Sequence, residues 1–269
     1  MNILKSIRKN IKSRIIPAAA AASVLMCTVS YAGSAVQLDY VVHAGGQAGY
    51  ETGTNSLEAI NSSFDCGYRY IEMDLNFTSD GRLVCVHDWD TDYFKMGKPA
   101  GVALSLEEFK NEKILGKFTP MTVEELAKWL YERPDTYVIT DIKENNIAGL
   151  KYIAENCAYI KERIMPQIYS EGEYAAVKDM GYTNIIYTLY KLSYSDKMNT
   201  DKIAGFAKSH ELAAIVFSSE LASDSYVKKL KACQTKLMTH TVNSRTEAER
   251  LKNMGIDGIY SDYLKENLK

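Results

Sequence analysis

The chain has no C-x-x-C pair, no G-x-G-x-x-G opening a helix after its first strand, no excess of positive charge and no low-complexity or Pro/Gly-rich linker. Each absence excludes something. Cys66, Cys85, Cys157 and Cys233 are too widely spaced for a zinc site, and most are expected to be buried free thiols. Without the glycine fingerprint, dinucleotide binding has no support. Setting aside five basic residues in the first 32 leaves 27 Lys+Arg against 34 Asp+Glu, a formal charge near −7. A surface of that sign does not suit nucleic acid or anionic lipid. The missing linker implies one domain, residues 33–269, long enough for a sizeable core.

Residues 1–32 are expected to lie outside that domain. Lys5, Arg8, Lys9, Lys12 and Arg14 form a basic start without an acidic residue. An apolar run from Ile15 to Val29 follows, and Ser30-Tyr31-Ala32 ends in small residues suited to cleavage. This is the pattern of a secretory signal peptide. Export is therefore the expectation, with an uncleaved membrane anchor as the competing reading, because the run is nearly long enough to span.

The most informative stretch is Tyr70-Ile71-Glu72-Met73-Asp74-Leu75-Asn76-Phe77-Thr78-Ser79-Asp80-Gly81-Arg82-Leu83-Val84-Cys85-Val86-His87-Asp88. Both ends read as strands, and Asp80-Gly81 between apolar runs signals a hairpin. A two-residue Asp80-Gly81 loop would set His87 opposite Asp74, with Glu72 on the same face and Cys85 sharing the parity of His87. Two carboxylates and an imidazole would then converge. The plain alternative is the wet outer face of an antiparallel hairpin, but like charges on a face flanked by apolar residues call for a compensating cation or hydrogen bonds.

Elsewhere the pattern alternates. Strands are expected at 40–43, 69–75, Tyr137–Ile142, Ile164–Tyr169, Asn184–Tyr190, Ala213–Phe217, Lys236–Val242 and Gly258–Ser261, with helical stretches between them. Asn55-Ser56-Leu57-Glu58 and Thr122-Val123-Glu124-Glu125 read as helix starts with a Glu three residues into the cap. Eight β units joined by helices favour a closed (β/α)8 TIM barrel, with the hairpin an excursion after the second strand. Chemistry in such a barrel sits at the C-terminal strand ends. His43, Glu72, Asp74, Asp141 and Lys143 all fall there, and the last two share a strand face, where a surface ion pair is the plain alternative.

These residues resemble the glycerophosphodiester phosphodiesterase family, within the phosphatidylinositol phospholipase C-like barrels. The resemblance rests on His43-Ala44-Gly45, Thr54-Asn55-Ser56, Glu72-Met73-Asp74, Thr78-Ser79-Asp80-Gly81 and His87-Asp88, then Asp141-Ile142-Lys143, Thr241-Val242-Asn243 and Gly255-Ile256-Asp257-Gly258-Ile259-Tyr260-Ser261-Asp262. It spans about 41 to 263. Three positions depart from the family pattern: Ala44 stands for Arg, Thr54 for Glu and Asp141 for Glu. The first removes a bidentate phosphate contact.

The resemblance implies a metal-dependent phosphodiesterase acting on a small-molecule, lipid-derived diester, with no stable protein partner. Glu72, Asp74 and Asp141 would hold one divalent cation, Mg²⁺ or Ca²⁺, through oxygen alone. His43 and His87 would act as general base and acid, and Lys143 would contact phosphate. A sphingomyelinase D-like or phospholipase C-like lipid phosphodiesterase, or a non-catalytic exported binding protein on an inactivated barrel, are the alternatives.

Overall fold

The structure, a computed structural model, describes residues 38–89 and 101–265. The expected signal peptide, residues 1–32, lies outside the described residues.

Among the described residues, nine strands form one sheet: β1 (Tyr40–Val42), β2 (Tyr70–Phe77), β3 (Leu83–Cys85), β4 (Tyr137–Ile142), β5 (Ile164–Ile168), β6 (Ile186–Thr188), β7 (Ala214–Ser218), β8 (Lys236–His240) and β9 (Gly258–Ser261). Eight of them run parallel in the order β1-β2-β4-β5-β6-β7-β8-β9, and β1 also pairs with β9, which closes a (β/α)8 barrel. Helices follow the strands, and several of their starts obey the capping rules. Ser56, Thr122, Asn199, Ser223 and Ser244 each accept a backbone N–H from the first turn of the following helix, typically worth about 1 kcal/mol apiece.

The period of two along the strands divides the core. Val41, Ile139, Met165, Ile186, Ala214 and Met238 point inward and plug the barrel. Ile71, Met73, Leu75, Val138 and Ile142 point outward, towards the helices. Glu72 and Asp74 alternate with Met73 and so face in, above the plug.

The long strand β2 explains the hairpin's position. Its start pairs with β1 through Val42↔Ile71, and its end pairs with β3 through Leu75↔Cys85, Asn76↔Val84 and Phe77↔Leu83. Since β4 occupies the other edge of β2 up to Leu75, β3 takes the edge that short β1 leaves. This register differs by one from the sequence expectation. The loop is Ser79-Asp80-Gly81, with Gly81 in the left-handed region at φ 77°. Thr78 N–H donates to Arg82 O at 2.8 Å, and Arg82 N–H to Thr78 Oγ1 at 2.8 Å. A left-handed glycine adds one residue to the loop as a bulge, and the added residue shifts every pair beyond it.

Asp74 therefore lies opposite Val86, whose N–H donates to Asp74 O at 3.0 Å. Cys85 is buried on the helix side rather than inside the barrel. Cys157 and Cys233 are buried free thiols as well, and Cys66 is exposed.

Candidate active site

Parallel pairing sets Asp74 beside Asp141 on β4, with Glu72 two residues earlier on the same inward face. All three carboxylates are buried, and one oxygen from each lies within 4.8 Å of the others. Each has its second oxygen tied to a protein donor. Glu72 Oε2 accepts the Ala44 N–H at 2.8 Å, and Asp74 Oδ2 accepts Asn55 Nδ2–H at 2.8 Å. Asp141 Oδ1 accepts the Tyr190 hydroxyl at 2.8 Å and the Tyr169 hydroxyl as well.

Lys143 Nζ sits among the remaining oxygens, 2.6 Å from Asp74 Oδ1 and 2.6 Å from Asp141 Oδ2. Glu72 Oε1 is buried without a hydrogen-bond partner among the described residues. Burial and the neighbouring Asp74 push the Glu72 carboxyl well above the usual range. Burial works against the Lys143 ammonium, but Asp74, Asp141 and Glu72 outweigh it and hold the charge on. Asp141 also resists burial and stays below the usual carboxylate range, through Lys143 and its two phenols. Three acids facing one ammonium leave the cluster short of positive charge.

His43 is brought in by a turn rather than a strand. Beyond β1, Ala44, Gly45 and Gly46 all have positive φ (49°, 77° and 89°). Left-handed backbone at Ala44 costs about 1–2 kcal/mol. In return, that turn aims the Ala44 N–H at Glu72. A Cβ at Gly46 would meet Ser63 Oγ at 2.2 Å, so the chain can pass there only as glycine. His43 Nδ1–H donates to Asp262 Oδ1 at 2.8 Å, leaving Nε2 4.0 Å from Glu72 Oε2. Asn243 Nδ2–H in turn holds Asp262 Oδ2 at 2.5 Å. Burial alone would lower the His43 pKa, but the Asp262 bond and the charges of Glu72 and Asp74 push it up to about 9.

His87 lies past the end of β3, half-exposed, with Nδ1 bonded to the Asp88 carboxylate. It still lines the same cavity, of about 200 Å³, as His43, Glu72, Asp141 and Lys143. The far wall of that cavity includes Gln167, Thr188, Tyr190, His240 and Tyr260. His240 Nε2, Thr188 Oγ1 and the Tyr260 hydroxyl are buried there without partners among the described residues.

All six residues expected from the sequence thus meet at one end of the barrel, although His87 arrives beyond the strand and not by cross-strand pairing with Asp74. Sequence reasoning missed several others. Asn55 was expected to begin a helix. Instead Ser56 is the cap, Glu58 binds Thr119, and Asn55, left-handed at φ 51°, turns its amide to Asp74. Asp262 and Asn243 lay inside quoted motifs without a role. Tyr169, Tyr190 and His240 stand at or just past the C-terminal ends of β5, β6 and β8, the one signal that could have flagged them.

Fold and site together define a (β/α)8-barrel hydrolase with a buried acidic centre beside two histidines. The sequence model of the glycerophosphoryl diester phosphodiesterase family matches residues 43–266. The chain belongs to that family of phosphoric diester hydrolases. It is 26% identical over 221 residues to the glycerophosphodiester phosphodiesterase of Caldanaerobacter subterraneus, covering 77% of this chain and 88% of that one. Identity to the enzyme of the same name from Bacillus altitudinis is 22% over 223 residues, 78% of this chain and 89% of that one. In fold it is similar to an Oleispira antarctica phosphodiesterase solved with its product sn-glycerol-3-phosphate. The TM-score is 0.67 at 16% identity, covering 84% of this chain and 93% of that one.

Proposed function

We propose that this chain hydrolyses glycerophosphodiesters, or closely related lipid-derived diesters, with one divalent cation, Mg²⁺ or Ca²⁺, and with His43 and His87 as general acid and base. The observation that carries the reading is the buried triad of Glu72, Asp74 and Asp141, of which Glu72 and Asp141 line the cavity that both histidines line. The residues fit a hard cation. The donors are all oxygen, Glu72 Oε1 is a buried carboxylate oxygen without a partner among the described residues, and Lys143 holds positive charge between the other two acids. A cation held there supplies charge neutralisation for the phosphoryl group and acidifies a nearby hydroxyl.

The rest falls to the chain's own side chains. A neighbouring hydroxyl of the glycerol attacks phosphorus and gives its proton to one histidine. The other histidine protonates the departing alcohol, leaving a cyclic phosphate that water opens with the roles exchanged. Asp262 fixes the His43 ring so that Nε2 is the nitrogen free to exchange protons. Lys143 is the phosphate contact, which matters more because Ala44 cannot be one. The leader pattern in residues 1–32 supports a location for this chemistry outside the cytoplasm.

A panel of glycerophosphodiesters incubated with the purified protein tests the reading. Release of glycerol phosphate is expected with Mg²⁺ or Ca²⁺ and is lost with chelator. Turnover that ignores the chelator, or no cleavage of any diester with either metal, would refute it.

A further inference from the structure

The uncharged side of the cavity bears on which diesters fit, and the inference rests on the hydrolase reading above. We propose that Thr188, His240 and Tyr260 are specificity-determining residues that bind a free terminal hydroxyl on the substrate's glycerol. The chain then takes fully deacylated glycerophosphodiesters and rejects those that still carry an acyl chain.

The strand period places these residues. Met165, Ile186, Ala214 and Met238 belong to the apolar plug, on β5, β6, β7 and β8. Two residues further along each strand, the same inward face presents Gln167, Thr188, Val216 and His240 to the cavity. Tyr260 reaches the cavity from the plug itself. Inward layers of such a barrel are ordinarily filled by branched apolar side chains. In this layer Val216 alone keeps that character. Thr188 Oγ1, His240 Nε2 and the Tyr260 hydroxyl are buried without a partner among the described residues.

Buried polar atoms are nearly always paired, and one left unpaired is costly. Three around one cavity call for a ligand that completes them. A hydroxyl suits all three, because it both donates and accepts. An acyl chain suits none. Val216 is the one aliphatic side chain among the described residues that line the cavity, so no apolar track leads in. At about 200 Å³ the cavity is also smaller than the roughly 300–1,000 Å³ of pockets for drug-sized ligands. Esterifying the hydroxyl removes its proton and sets a hydrocarbon chain against three polar atoms. The hydroxyl next to the phosphate is the one that attacks, which leaves the terminal hydroxyl of glycerol for this wall.

Three diesters test the assignment: glycerophosphocholine, its analogue built on propane-1,2-diol, and 1-acyl lysophosphatidylcholine below its micelle concentration. All keep the attacking hydroxyl, but the second lacks the terminal one and the third has it esterified. With Mg²⁺ or Ca²⁺ present, kcat/KM for the propanediol diester is expected to be lower by roughly 10–100-fold, the cost of leaving a buried polar group unpaired. For the acylated diester it should be lower still. Thr188→Val and His240→Leu should each narrow the gap between the first two diesters, and the near-isosteric Thr188→Val covers the case in which His240→Leu does not fold. Calorimetric binding of sn-glycerol 3-phosphate against propane-1,2-diol 1-phosphate reads the same preference without turnover. Equal kcat/KM for any two of the diesters, equal binding or no binding of the two phosphates, or a gap that the folded variants leave unchanged overturns the proposal. Tighter binding of sn-glycerol 3-phosphate with no diester cleaved would keep this wall and sink the hydrolase reading alone.

Discussion

The two walls of the barrel mouth treat polar groups in opposite ways. On the wall built by β1, β2 and β4, charge is concentrated and nearly every oxygen is spoken for, by Asn55, Lys143, Tyr169, Tyr190 or a backbone N–H. On the wall built by β6, β8 and β9, Thr188, His240 and Tyr260 bury neutral polar atoms with no partner among the described residues. Two histidines register the difference. His43 is pushed up to about 9 by Asp262, Glu72 and Asp74 in spite of its burial. His240 is pulled down to about 4 by burial and by the charge of His43. The same imidazole is pushed up at His43 and down at His240, because carboxylates outweigh burial at the first and do not at the second. One wall concentrates charge, and the other presents uncharged polar groups with hydrogen-bonding capacity to spare.

The largest expected effect breaks the charged wall and its partner across the cavity. His43→Ala and His87→Ala should each lower turnover of a glycerophosphodiester by about 10²–10⁴-fold, while cation affinity and melting temperature stay near wild type. The proposed mechanism makes the pair act as a unit, so the double variant should be little worse than the worse single one. Full turnover in either single variant on a diester with a poor leaving group would remove that histidine from the mechanism.

A second comparison concerns proton linkage, and the two histidines should differ in sign. His43 has a folded pKa above its unfolded value. Its contribution to stability is therefore complete below pH about 6.5 and lost as pH rises through about 9. His240 is the reverse case, its contribution present above pH about 6.5 and lost as pH falls through about 4. NMR titration of the metal-free protein should resolve the two. In Asp262→Asn the His43 pKa should fall while the His240 ring still titrates low; equal movement of both would mean that the walls are not electrically distinct.

The smallest effect is expected at the neutral wall. Thr188 is buried and its hydroxyl has no partner among the described residues. Replacing an unpaired buried hydroxyl with a methyl removes little, so Thr188→Val should change stability by no more than about 1 kcal/mol. Urea denaturation of the metal-free protein measures it. A loss of several kcal/mol would mean that the hydroxyl is satisfied in the native state and that this wall, like the charged one, has its polar atoms fully paired.

How much of this was legible beforehand divides along the same physical line. Local pattern sufficed for the eight βα units, because the period of two along a strand and the capping residues of a helix are properties of neighbours in the chain. It sufficed for Glu72, Asp74 and Asp141, since inward parity at strand ends follows from the same period. The hairpin register did not follow, because a left-handed Gly81 adds a residue that a two-residue turn omits. Nor did the route by which His87 reaches the cavity, since beyond Cys85 the alternation of faces no longer applies.

What the amino-acid sequence determined, then, is the barrel, its family and the acids at its mouth, all encoded in short-range periodicity and motif order. What only the tertiary structure decided is which partners hold each acid and the histidine beside them. That depends on Ala44 and Asn55 from the segment after β1, on Tyr169 and Tyr190 after β5 and β6, and on Asp262 after β9 for His43. These groups are far apart in the chain and meet only because the sheet closes on itself.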